Sequence, residues 1–169
     1  MIYISQRIIF LGGFLVCASL TAAALYFQYV LNLEPCPLCI FQRTFVIIAG
    51  LILLAGGLHN PDILGQRIYG GLIMLAAGLG AAVAGRHVWI QNLPLDELPG
   101  CSYDFTTMLE KFPLQKTLKL VFEGTGECAK VDWMFMGLSM PGWTLVFFMG
   151  LVGLGTMLVF SPMRKKRLS

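Results

Sequence analysis

Glu34-Pro35-Cys36-Pro37-Leu38-Cys39-Ile40-Phe41-Gln42-Arg43 joins two long apolar segments and sets a Cys-x-x-Cys pair between them. Pro37 suits the first position of a helix, because its fixed φ is helical and its missing N–H has no partner there anyway. Cys39 then falls in the first helical turn. Unpaired backbone N–H groups and the helix dipole stabilise a thiolate at that place. The thiolate is the reactive form of cysteine, and both helix N-termini and Cys-x-x-Cys spacing favour it. Arg43 follows Cys39 by four residues and shares its helix face, so its cation favours the same thiolate. The stretch therefore reads as a redox dithiol held at a membrane surface.

The membrane follows from what flanks it. Of 169 residues, 57% are hydrophobic and 12% charged, and the mean hydropathy is +0.75. That is too apolar for a soluble domain of this length. Residues 8–31 contain no charge, and about 20 such residues cross the hydrocarbon core as a helix. The run is longer than a signal-peptide core and no small-residue cleavage site follows it. Further spans are expected over about 39–58, 68–86 and 143–160. The loops are 32–38 and 88–141, and His59-Asn60-Pro61-Asp62 is a turn. The expected architecture is a single all-α membrane domain over 1–169, a bundle of four transmembrane helices. Gly and Ala in the third span allow close helix approach. Trp89, Trp133 and Trp143 fall near span ends on one side, as interfacial aromatics do.

Four spans put both termini on one side. That side carries Arg7, Arg67, Arg164, Lys165, Lys166 and Arg167, six of the 12 Lys+Arg. The long loop balances Lys111, Lys116, Lys119 and Lys130 against seven acids: Asp96, Glu97, Asp104, Glu110, Glu123, Glu127 and Asp132. The positive-inside rule then places the termini in the cytoplasm and the cysteine-bearing loops outside. The basic run 164–167 follows an apolar span, so it anchors the chain, and no nucleic-acid motif is present. Arg43 and Arg86 sit at the outer edges of spans two and three. A charge at membrane depth is costly, which favours a functional role, while snorkelling at the interface is the plainer alternative for each.

Within the long loop, Leu114, Leu118, Val121 and Phe122 fall on one helical face between Pro113 and Gly124. This predicts a short amphipathic helix lying on the membrane surface. Five cysteines form two pairs by position, Cys36/Cys39 and Cys101/Cys128, and leave Cys17 as a small buried apolar residue within the first span. Paired cysteines outside the membrane suit an oxidising compartment. A structural staple is the rival reading for Cys101 and Cys128. A loop with too few apolar residues for its own core gives a staple little to stabilise, whereas an accessible disulfide is what thiol exchange needs. No metal site is expected. Zinc takes four ligands, and only Cys101, Cys128, His59 and His87 could complete a set with the Cys-x-x-Cys pair. None of these forms a second close pair, and His59 lies on the inner side.

The four spans, the Pro35-Cys36-Pro37-Leu38-Cys39-Ile40-Phe41-Gln42-Arg43 motif, the second cysteine pair and Gly137-Leu138-Ser139-Met140-Pro141-Gly142-Trp143 together resemble DsbB, the bacterial inner-membrane disulfide-bond formation family. The resemblance covers nearly the whole chain. It implies a relay in the inner membrane, with both cysteine pairs periplasmic. A reduced thioredoxin-fold, DsbA-like protein attacks the loop disulfide and forms a mixed disulfide with Cys101, the partner of Cys128. Cys36 and Cys39 reoxidise the loop dithiol. Cys39 resembles the family cysteine that contacts a membrane quinone, ubiquinone or menaquinone, in a thiolate–quinone charge-transfer pair, and Arg43 matches the arginine beside it. Where many relatives carry an acid before that arginine, this chain has Gln42. His87 and Gln91 are the nearest candidates for a histidine that some relatives use after the third span. Two other readings compete. One is a vitamin K reductase-type enzyme, which places its dithiol near the last span. The other is a small membrane scaffold with structural disulfides.

Overall fold

The computed structural model describes residues 6–33, 35–94, 126–129 and 134–160. Four long helices dominate: α1 (Gln6–Tyr29), α2 (Pro37–His59), α3 (Ile63–Gln91) and, after the loop, α5 (Met140–Phe160). All four are long and apolar enough to cross a membrane. The chain is a four-helix membrane protein. In hydrocarbon every backbone polar group must be satisfied within its own segment, which the helix does and an isolated strand does not.

Neighbours in sequence pack as neighbours in space, α1 on α2 and α2 on α3, while α5 closes against α3. Phe10 and Cys17 of α1, Val46, Ala49 and Leu53 of α2, Ile73 and Ala77 of α3, and Phe148, Leu151 and Leu158 of α5 form one buried core. Residues on the outer faces, such as Leu15, Leu51, Leu75 and Met149, are exposed and apolar, which suits contact with lipid. Lipid is as apolar as leucine, so hydrophobicity alone does not hold such helices together; close packing does. Glycine supplies it between α3 and α5. A Cβ on Gly70 would stand 2.9 Å from the Gly155 carbonyl oxygen, and a Cβ on Gly80 would strike the Phe148 ring.

The α2–α3 turn is built by local chemistry. Asn60 ends α2 in the left-handed region (φ 45°), and its N–H donates to the Gly56 carbonyl. Asp62 caps α3 by accepting from the Gly65 N–H at 3.3 Å. Two buried amides tie this pole to α1. Gln6 Nε2 donates to the Pro61 carbonyl at 2.7 Å, and Gln66 Nε2 donates to Gln6 Oε1 at 2.6 Å.

Within the loop, a single helical turn, α4 (Gly126–Ala129), packs on α3. A hairpin pairs β1 (Met134–Phe135) with β2 (Leu138–Ser139) in antiparallel register. Met136 and Gly137 both have positive φ, the backbone of a tight two-residue hairpin turn. Trp143 then donates its indole N–H to the Phe135 carbonyl at 3.1 Å. The amphipathic helix expected between Pro113 and Gly124, and Trp133, lie outside the described residues.

Candidate functional site

Cys36 is the N-cap of α2 and Pro37 its first residue. The Cys36 Sγ accepts from the Cys39 N–H at 3.3 Å, so a sulfur does the work usually left to a serine or aspartate oxygen. This cap fixes the geometry of the pair. The two Sγ atoms stand 3.0 Å apart as separate thiols. Leu38, Val83 and Ile90 wall the site from water, with Phe41 and Phe45 packed behind them.

α3 brings His87 to the same place, where it is buried. Its Nε2 lies 3.7 Å from Cys36 Sγ and its Nδ1 4.0 Å from Cys39 Sγ. Nε2 is also 3.1 Å from the backbone carbonyl oxygen of Cys128 on α4. A carbonyl can only accept, so Nε2 carries the proton. In the neutral ring, Nδ1 is then the acceptor, and the Gln42 amide nitrogen stands 3.0 Å from it as donor. The Cys128 carbonyl thus sets the tautomer, and the Gln42 amide complements it at Nδ1. The donor atoms of Cys36, His87 and Cys128 all lie within 4.8 Å of one another.

One helical turn beyond Cys39, Arg43 reaches across to α1. Its Nη1 donates to Gln28 Oε1 at 2.6 Å and its Nη2 to the Ala24 carbonyl at 3.3 Å. Its Nε is buried and has no hydrogen-bond partner among the described residues.

Comparison with known proteins agrees along the whole bundle. The family model described as Disulfide bond formation protein DsbB matches residues 6–158. The chain is similar to Disulfide bond formation protein B of Methylococcus capsulatus, with 53% identity over 87% of this chain and 90% of that one. It is 48% identical to the protein of the same name from Nitrosococcus oceani, over 91% of this chain and 92% of that one. Disulfide bond formation protein B 1 of Pseudomonas aeruginosa is 44% identical over 88% of this chain and 91% of its own.

This chain belongs to the DsbB family.

The region matched to DsbB includes Cys36, Cys39, Cys101 and Cys128. The fold brings Cys36, Cys39 and Cys128 to one point, while Cys101 lies outside the described residues. Cys17 is buried against Gly50 of α2, as a packing residue. Gln91 accepts from the Ser139 hydroxyl at 2.6 Å, so in this DsbB-family chain it fastens the end of α3 to the hairpin. Arg86 is half-buried on α3. Folding gathers Cys128 and His87 around Cys36, a proximity that the spacing of these residues in the sequence does not show.

Sequence reasoning left His87 as an unassigned candidate and missed Gln42 as its partner. A signal was available in the turn. Cys36 lies 25 residues before Pro61 and His87 lies 26 after it. In an antiparallel helix pair, residues equally far from the turn end at the same height.

Proposed function

We propose that the chain is a membrane thiol oxidase that reoxidises a periplasmic DsbA-like dithiol protein and passes the electrons to a membrane quinone. The observation that carries this reading is that Cys128, from the long loop, stands beside Cys36, which in turn stands beside Cys39.

The relay balances at each step. A partner thiolate attacks Cys101 of the Cys101–Cys128 disulfide, forms a mixed disulfide and releases Cys128 as thiolate. The second partner thiol displaces Cys101, so the partner leaves oxidised. Cys128 attacks Cys36 of the Cys36–Cys39 disulfide and releases Cys39 as thiolate. Cys101 then displaces Cys36, restoring the loop disulfide and leaving Cys36 and Cys39 reduced. Two electrons and two protons have moved inward to the Cys36/Cys39 pair. Thiol exchange needs an in-reach thiolate and a good leaving sulfur. The N-terminus of α2 provides the latter by stabilising Cys39 as it departs. His87 holds the Cys128 backbone in place and lies close enough to both α2 sulfurs to carry a proton.

The residues present fit a quinone. Arg43 Nε is a buried donor with no acceptor among the described residues, one turn from Cys39. A carbonyl oxygen is such an acceptor, and a guanidinium stabilises negative charge that develops on it. Bound there, a quinone supplies the electron acceptor, taking up two electrons and two protons. Cys39 would face it and Arg43 would orient it.

The test is anaerobic turnover in detergent. Reduced thioredoxin-fold partner and a soluble quinone are mixed with the protein and the quinone absorbance is followed. Bleaching that stops in Cys36→Ser, Cys39→Ser and Cys101→Ser supports the relay. Bleaching that continues unchanged in all three overturns it, as does an oxidised quinone left untouched by a competent reduced partner. The scaffold reading predicts that untouched quinone.

A further inference from the structure

Cys36, Cys39, His87 and Cys128 form a buried knot of three sulfurs and an imidazole, drawn from α2, α3 and α4. Disulfide exchange uses the sulfurs as nucleophiles and leaving groups. The same atoms, all reduced, are the ligand types that a zinc-class cation prefers. Zinc bonds of about 2.3 Å to sulfur and 2.0 Å to nitrogen place tetrahedral ligand atoms about 3.6 Å apart. Cys36 Sγ and His87 Nε2 already stand 3.7 Å apart. The set of Cys36, His87 and Cys128 closes within 4.8 Å, so a shift of about 1 Å would bring it to bonding distance. Cys39 Sγ, 3.0 Å from Cys36 Sγ, must swing outward to take the fourth position.

We propose that the fully reduced protein binds one soft or borderline divalent cation of the zinc class, through Cys36, Cys128 and His87 with Cys39 completing the tetrahedron. His87 ligates through Nε2, giving up its bond to the Cys128 carbonyl. Its proton moves to Nδ1, and the Gln42 amide turns over to accept it through Oε1. A ligating histidine almost always donates its other ring N–H to such a partner. Each ligating thiol releases a proton to solvent and no atom changes oxidation state. A metal-held thiolate is withdrawn from exchange, so the ion locks the reduced centre. Formation of either the Cys36–Cys39 or a Cys36–Cys128 bond removes two ligands at once, so the site exists only while the centre is reduced.

The experiment uses Cd2+ as probe on the full reduced chain in detergent, without quinone or partner. Thiolate-to-cadmium charge-transfer absorption is followed, and Zn2+ is added as competitor. The expected result is one Cd2+ per chain, displaced by Zn2+. The band is absent when the centre is oxidised beforehand, a control that needs no substitution. Cys36→Ser, Cys128→Ser and His87→Ala each weaken Cd2+ binding at least about tenfold, and Gln42→Leu weakens it by about the same factor through the ring orientation. Cys17→Ala binds as the parent does. Equal affinity in Cys128→Ser and His87→Ala would reduce the site to the bare Cys36/Cys39 dithiol and overturn the proposal. Absence of a band in the reduced parent overturns it too. Since nothing turns over in this measurement, its failure leaves the relay standing, and failure of the relay leaves this site standing.

Discussion

His87 shows how one side chain couples two helices. It takes a hydrogen bond from Gln42 on α2 and gives one to the Cys128 carbonyl on α4. Removing it leaves a buried carbonyl without that donor, at a cost of about 1–3 kcal/mol. If that loss falls on the exchange step, His87→Ala slows turnover about 5- to 150-fold. Stopped-flow reduction of the Cys36–Cys39 disulfide by a reduced loop checks this, and an unchanged rate would leave His87 without a positioning role. Arg43 acts elsewhere. Arg43→Ala is expected to raise the quinone KM about tenfold or more, while exchange between partner and loop stays intact. Arg43→Lys keeps the charge but lacks Nε, so steady-state kinetics should place it between the two. That Cys36 and Cys39 stand together was legible from spacing, because Cys-x-x-Cys beside a proline is a local signal. His87 and Gln42 were not, because their meaning comes from a contact 45 residues apart in sequence.

At the level of elements, the spans were legible wherever charge was absent. Their outer ends were not. Arg86 and His87 read as the end of the third span, yet α3 continues to Gln91. His87 sits inside the helix because the protein, not water, satisfies its ring. The hairpin of β1 and β2 went unread, since two-residue strands leave no periodic pattern. Helix contact depends on glycine at chosen positions rather than on glycine content. Gly80→Leu would drive a side chain into Phe148, and overpacking of this kind costs about 1–3 kcal/mol. Gly78, where a Cβ would meet nothing within 4 Å, should accept alanine without loss. Thermal unfolding in detergent separates the two, and equal melting of Gly80→Leu and the parent would discount the α3–α5 contact.

Across the whole molecule, chemistry and anchorage occupy opposite poles. The thiols gather where α2 begins and α3 ends, while the Gln6–Gln66 clamp and the α2–α3 turn close the other pole. With 23 residues in α2, the poles are about 35 Å apart. The positive-inside rule predicts that the thiol pole faces outward. In spheroplasts an impermeant thiol reagent should therefore label reduced Cys39, the less buried of the two thiols, and labelling only after lysis would invert the topology. Placement at one pole also has an electrical consequence. In the proposed relay, electrons and protons would leave the thiols at the same rim where the acceptor receives them, so no net charge would cross the hydrocarbon. A charge carried fully across would feel about 2.3 kcal/mol per 100 mV. Turnover in proteoliposomes should hold its rate when a potassium diffusion potential is imposed, reversed or collapsed, so disulfide formation would continue in a cell whose membrane has lost its voltage.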